Sequence, residues 1–222
     1  MSRWLLDFVA GDPGEETAGF VRLELREHEQ IAWYWTYIVG FPGVDGVLVV
    51  RDYEVLLPRQ GLEIRADGLW AELICETPRE HWTFWLEAFG VRLEGTDGAR
   101  EFLRADGEIG DRIAVGLDIE WEVGAGGPPR GIVHGDVLVG RASVAVDGVG
   151  WFYDDGDPDP GESNVHSDVV STVYVPLPGG RHVSRRLVRA PGGLRWTLER
   201  DGGRERAIPE HPDHEDPAGE HR

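Results

Sequence analysis

Successive side chains of a β-strand point to opposite faces, and residues 112–123 keep that period of two without a break. Ile113, Val115, Leu117, Ile119, Trp121 and Val123 fall on one face, with Arg112, Asp118, Glu120 and Glu122 on the other. A helix would scatter these residues around its circumference. Comparable runs occupy Gly19 to Glu27, Gln30 to Val39, Gly46 to Leu56, Leu69 to Glu76, His81 to Leu93 and Gly131 to Val139. Three more, at Val169 to Leu177, His182 to Arg189 and Leu194 to Arg200, are separated by Pro178-Gly179-Gly180 and Pro191-Gly192-Gly193, which read as hairpin turns. No long stretch shows helical periodicity, so the expected class is all-β. Many short strands without helices imply antiparallel barrels or a sandwich, since closing a sheet removes its aggregation-prone edges.

About a dozen strands exceed the roughly eight of one small up-and-down barrel, and two packed β halves are expected. The first half is 1–94. Residues 95–111 read as a linker, with a short helix around Ala99 to Arg104. The second half is 112–200. After Asp201 the chain loses apolar residues and fills with Arg, Glu, His and Pro, so 201–222 is expected to be a disordered acidic tail. Gly124 to Arg130 reads as a hairpin connection or a seam, and Asp154 to Asp168 as a loop.

Charge excludes several functions. The formal net charge is −19 over 222 residues, from 41 acidic and 22 basic residues. All the basic residues are Arg, so Schiff-base chemistry on a lysine amine is excluded. A surface this negative repels the phosphate backbone, and nucleic acid is not an expected partner. No apolar run approaches the roughly 20 residues of a membrane span, so no membrane insertion is expected. The amino terminus turns acidic at Asp7, before a signal-peptide core can form, which points to the cytoplasm. The single cysteine, Cys75, follows Leu73 and Ile74 and reads as a buried thiol acting as a small hydrophobe. Nothing in the chain specifies an oligomeric state.

Two constellations carry chemistry. Asp118, Glu120 and Glu122 alternate on one strand, and His134 and Asp136 alternate on the next. If these strands form a hairpin, carboxylates and an imidazole converge. A carboxylic acid crowded by others has a raised pKa and protonates an alkene or carbonyl, while a histidine accepts the proton. The same alternation also describes the solvated face of an ordinary sheet. The second constellation is aromatic. Trp33, Trp35 and Tyr37 share one strand face, and Trp85 shares another with Phe89, His81 and Glu87. Such walls hold a flat hydrophobic small molecule and stabilise a developing cation, and they equally suit core packing.

Metal-binding patterns are weak. Asp154-Asp155-Gly156-Asp157-Pro158-Asp159 lacks the spacing and closing Glu of an EF-hand loop, and His211, His214 and His221 lie in the tail. No metal and no organic cofactor are expected. Nucleophile-elbow, Walker and dinucleotide-binding fingerprints are also missing from any suitable strand-to-helix context.

A series of short motifs runs in order through the first two thirds of the chain. It comprises Trp33-Tyr34-Trp35-Thr36-Tyr37, Asp52-Tyr53-Glu54-Val55-Leu56-Leu57-Pro58, Gly68-Leu69-Trp70-Ala71, Cys75-Glu76-Thr77-Pro78, His81-Trp82-Thr83 and Leu86-Glu87-Ala88-Phe89-Gly90-Val91. It continues with Gly116-Leu117-Asp118-Ile119-Glu120-Trp121-Glu122 and Val133-His134-Gly135-Asp136-Val137-Leu138-Val139-Gly140. Over about Gly19 to Gly150 the chain resembles an uncharacterised actinobacterial-type family related to the tandem lipocalin-like superfamily that includes carotenoid hydratases. The resemblance implies paired lipocalin-like barrels. It also implies a cofactor-independent hydratase, cyclase or isomerase acting on a hydrophobic substrate, the alternative being a non-catalytic binder. Where that family carries Arg-Asp-His-Ser-Trp-Gly after a glycine-rich stretch, this chain has Trp151-Phe152-Tyr153-Asp154-Asp155-Gly156, and its second half is shorter.

Overall fold

The structure, a computed structural model, describes residues 2–12, 14–93, 111–157, 168–178, 181–190 and 193–200. The short helix expected at Ala99 to Arg104 and the tail 201–222 lie outside the described residues. The described chain is all-β and antiparallel, as its alternation requires. Its strands are β1 (Ser2–Ala10), β2 (Thr17–Arg26), β3 (Ile31–Val39), β4 (Val47–Leu56), β5 (Leu62–Ala66), β6 (Leu69–Thr77) and β7 (His81–Leu93). They continue as β8 (Asp111–Val123), β9 (Arg130–Val139), β10 (Ala142–Tyr153), β11 (Asp168–Leu177), β12 (Arg181–Ala190) and β13 (Gly193–Arg200).

Ten strands form one sheet in the order β4-β3-β2-β1-β10-β9-β8-β7-β6-β5, and β4 also pairs with β7. The ring β1-β2-β3-β4-β7-β8-β9-β10 therefore closes on itself, with β1 joined to β10 and the β5–β6 hairpin extending from β7. β7 and β8 pair from His81–Glu122 to Arg92–Asp111, so that Asp111, the last residue of the expected linker 95–111, already belongs to β8. The ring thus draws on both 1–94 and 112–200.

β7 changes neighbours along its length. Its first part, to Ala88, pairs with β6, and Val91 to Leu93 pair with β4. Gly90 sits at the changeover, where a Cβ would lie 2.8 Å from the Val49 carbonyl oxygen and 2.9 Å from the Val50 side chain. A side chain there would wedge β4 away from the ring.

Alternate residues fill the interior. Trp4, Leu6, Phe8, Leu23, Tyr34, Leu117 and Val133 form one buried cluster with the aromatic group Trp82, Phe84, Trp121 and Phe152. Phe152 is the hub of that group, with ring centroids 4.9 Å from Trp82, 5.4 Å from Phe84 and 5.2 Å from Trp121. The Trp151-Phe152-Tyr153 segment is thus the end of β10, with Phe152 in the interior and Tyr153 against the outer cluster.

The remaining strands form a three-stranded sheet, β11-β12-β13. It covers the outer face of β1 to β4, where Leu5, Phe20, Trp35, Tyr37 and Val49 pack with Val173, Val175, Leu187, Leu194 and Trp196 in a second buried cluster. Each aliphatic side chain buried this way contributes about 1.5–3 kcal/mol as an upper figure. Inside this apolar layer lies one ion pair. Asp7, on the outer face of β1, accepts hydrogen bonds of 2.6 Å from both Nη atoms of Arg185 on β12. The guanidinium also stacks 4.2 Å from the Phe20 ring centroid. Burial pushes the Asp7 carboxyl up, and the Arg185 guanidinium pulls it back. Next to the pair, burial and the Asp7 charge push the Tyr153 hydroxyl up to about 12.

Cys75 differs from its expected place, because its thiol is exposed. Position 75 follows the parity of the inward Leu69, Ala71 and Leu73, yet β6 has by then passed the end of the packed interior, as its exposed residues 74–77 show. Burial and then the carboxylates of Asp154 and Glu76 raise the thiol pKa, which disfavours the nucleophilic thiolate.

Removing one partner of a buried pair strands the other. Arg185→Met is expected to lose about 3–5 kcal/mol at neutral pH, and Asp7→Leu/Arg185→Met to recover most of it. Without Arg185 the folded-state pKa of Asp7 lies above its unfolded value. The single variant's deficit should therefore grow as pH rises through the carboxylate range and shrink in acid. Urea unfolding from pH 4 to 7 measures this, and a flat profile would count against the ion pair as the anchor.

Candidate functional site

The second buried cluster takes in Val91 and Leu93 at the end of β7, while the outer face of β7 from His81 to Phe89, with that of β8 and β9, lies outside it and carries a run of ionisable residues. β8 and β9 do form a hairpin. Its register sets Glu120 opposite His134, Asp118 opposite Asp136, and Gly116 opposite Leu138. On the other side of β8, β7 sets His81 opposite Glu122, Thr83 opposite Glu120, and Glu87 opposite Gly116. Directly opposed side chains on one face lie about 4.5–5.5 Å apart at Cβ, and diagonal ones within reach of long side chains.

The result is a three-strand cluster. Glu120 Oε2 lies 3.2 Å from His81 Nε2 and 3.2 Å from His134 Nε2. The donor atoms of His81, Glu120 and Glu122 are all within 4.8 Å of one another. The side chains are 31%, 42% and 47% exposed at His81, Glu120 and His134, so solvent reaches the cluster. Asp136 does not join it. Its Oδ1 accepts a 3.0 Å hydrogen bond from Ser143, and it faces the exposed Asp118 across the hairpin.

Gly135 brings these strands together. It adopts φ +137, which L side chains rarely adopt, and a Cβ there would run into the Asp118 carbonyl oxygen. β9 therefore presses on β8 at the residue following His134.

Toward the other end of the same face lies a groove of about 430 Å³, lined by Trp70, Glu87, Phe89, Ala114, Gly116 and Leu138 among others. Gly116 forms part of its floor between Glu87 on β7 and Leu138 on β9, and the Leu138 side chain leans over it, 3.3 Å from where a Cβ would stand. Phe89 is 59% exposed and Leu138 44%, and solvent-facing apolar residues this close together mark a contact surface. Two arginines stiffen its aromatic walls. Arg65 lies 4.3 Å from the Trp70 ring centroid and Arg112 5.6 Å from Phe89. Trp70 in turn meets Trp85 edge to face at 4.3 Å. Glu87 is the one ionisable residue among those lining the groove.

The structure thus brings together His81, Glu120 and His134, keeps Asp118 and Asp136 beside them, and puts Glu87 in the groove with Trp85 behind its wall. Trp33, Trp35 and Tyr37 lie elsewhere. They point outward from β3 and are buried in the layer beneath the three-stranded sheet. Trp33 and Trp35 pack edge to face on Tyr53, while Tyr37 stacks on Phe20 at 5.2 Å. Sequence reasoning did not single out Trp70, Leu138 or Gly116. The signal for the first was the outward parity of Trp70 and Ile74 on β6, both partly exposed. The carboxylates of the 154–157 segment are engaged by protein groups, with Asp154 Oδ1 accepting from the Asp155 amide, Asp157 Oδ2 from the Asp154 amide and Asp155 Oδ1 from the Arg3 amide, and Asp157 also pairing with Arg79.

No protein-family model, curated protein or solved structure matches this chain. Among the described residues no helix is long and apolar enough to cross a membrane.

Gly135→Ala is expected to destabilise the protein by at least about 2 kcal/mol, since both the strained dihedral and the blocked approach to β8 act against it. Denaturant unfolding gives the loss. An unchanged midpoint would show that β9 does not need this close approach.

Proposed function

We propose that the protein binds a flat hydrophobic small molecule in the groove on the outer face of β6 to β9. The observation that carries this reading is the groove of about 430 Å³ itself. It is walled by Trp70, Phe89 and Leu138, with one carboxylate, Glu87, as its polar handle. Binding sites for small molecules combine apolar walls with a few placed polar groups, and this recess has that composition. An acceptor-only carboxylate favours a ligand that carries a hydroxyl or amine donor. The lipocalin-like resemblance read from the motif series points to the same ligand class, although the groove lies outside the ring.

A catalytic reading, as a cofactor-independent hydratase, cyclase or isomerase, draws support from the 3.2 Å contacts of Glu120 with two imidazoles, across which a proton can pass. Glu120 lies four residues along β8 from Gly116, about 13 Å at strand rise, so an extended substrate seated in the groove would reach it. Loss of turnover in Glu120→Gln, with groove binding retained, is the result this second reading requires.

The binding reading is tested by titrating flat neutral alcohols and their methyl ethers while following tryptophan fluorescence and the emission of Nile red. Saturable quenching is expected, with the alcohols preferred. Gly116→Leu should abolish it by filling the recess, with far-UV circular dichroism unchanged, and Glu87→Gln should erase the preference for alcohol over ether. Silence across the series, or full binding by Gly116→Leu, would remove the groove from consideration.

A further inference from the structure

We propose that His81, Glu120, Glu122 and His134 form a binding site for one divalent transition-metal ion of the zinc type. The donor set is two imidazole nitrogens and two carboxylates, delivered by three adjacent strands. Zinc takes such N and O ligands at about 2.0–2.2 Å in tetrahedral geometry. Neighbouring ligands of a tetrahedral ion at those bond lengths are about 3.3 Å apart. Both imidazole contacts to Glu120 Oε2 are 3.2 Å. Glu122 lies directly opposite His81 on the neighbouring strand, and its donor atom is within 4.8 Å of those of His81 and Glu120. His134 is not in that mutually close group and joins it through its contact with Glu120, so it is the side chain that must swing in to complete the set.

Placement on strands matters as much as donor type. The Cβ positions of all four residues are fixed by paired backbone, with His81 on β7, Glu120 and Glu122 on β8, and His134 on β9. Gly135 holds β9 against β8 immediately beside His134. A site whose ligands stand on paired strands loses little entropy when it binds.

Local charge favours a cation too. Asp118 and Asp136 are directly opposed one step along the hairpin, an arrangement of like charges that costs stability. With Asp136 engaged by Ser143, these two carboxylates form a negative rim and not a ligand set. The chain's net charge of −19 raises the concentration of cations around the whole molecule. Two imidazoles distinguish the cluster from a calcium or magnesium site, for which all-oxygen ligands are usual. The partial exposure of the cluster leaves room for water as an additional ligand.

The test is equilibrium dialysis and calorimetry with Zn²⁺ on the full chain. The background carries His211→Asn, His214→Asn and His221→Asn, so that tail imidazoles do not contribute. One ion per chain is expected, with a dissociation constant in the micromolar range or tighter. Glu120→Gln and His134→Ala should each weaken it by at least about ten-fold, a loss of the size that follows when a metal site is damaged. Asp136→Asn, outside the ligand set, should change it far less. Co²⁺ gives a second readout, since tetrahedral coordination produces visible absorption bands that these two variants should lose while circular dichroism stays unchanged. Affinity or stoichiometry unaltered by Glu120→Gln and His134→Ala, or no binding below millimolar Zn²⁺, would overturn the proposal. Groove binding by Gly116→Leu is a separate measurement, so the two sites stand or fall independently.

Discussion

A carboxylate pressed between two sheets survives there only if a cation is delivered to it, and the delivery fixes how the sheets sit. Asp7 and Arg185 impose this constraint. The guanidinium must meet both carboxylate oxygens in plane while its face rests on Phe20. That geometry leaves β12 little freedom to slide or turn over β1. The surrounding apolar layer is non-directional, so greasy contacts alone would tolerate several placements of the three-stranded sheet. The pair selects one of them. Its cost is that the layer cannot be entered halfway, because separating the sheets exposes both charges while leaving each without its partner.

How much of this fold was legible depended on whether a strand has two different faces. β8 and β9 have one face in the interior and one in solvent, and their alternation was plain. β1 was missed. Its residues from Trp4 to Phe8 are all buried, half by the interior and half by the three-stranded sheet, so the run Trp4-Leu5-Leu6-Asp7-Phe8 shows no period of two. β10 was obscured for another reason. Its inward positions include Gly148 and Gly150, small because β1 and the Trp121 side chain come close, so the inward face is read as turn residues. Apart from the five-residue β5, the strands that looked least like strands were thus the two that close the ring.

The same logic governs the sites. β3 is buried on both faces, and no amount of alternation tells which side of Trp33-Tyr34-Trp35 looks inward; the answer is Tyr34, with the tryptophans under the outer sheet. Glu120 and His134 could be paired from a hairpin assumption, since they lie on consecutive strands. His81 could not, because its place beside Glu120 depends on the register of β7 against β8, across a segment whose length says nothing about pairing. The groove was less legible still. Its walls come from β6, β7 and β9, strands whose mutual placement the sequence does not state.

Closure of the ring between β1 and β10 has a consequence for the order of events at synthesis. The first strand of the ring is sealed by its last, and its Asp7 meets Arg185 only after another 178 residues. At roughly 5–20 residues per second, that interval is about 10–35 s. Until β10 is made, β1 has only β2 beside it and offers its other edge, with apolar side chains on both faces, to whatever is near. Contacts so distant along the chain also slow folding once synthesis is complete. The segment most deeply enclosed in the finished protein is therefore the one left longest in need of protection, and holding it apart from other chains is a task for the cell and not for the fold.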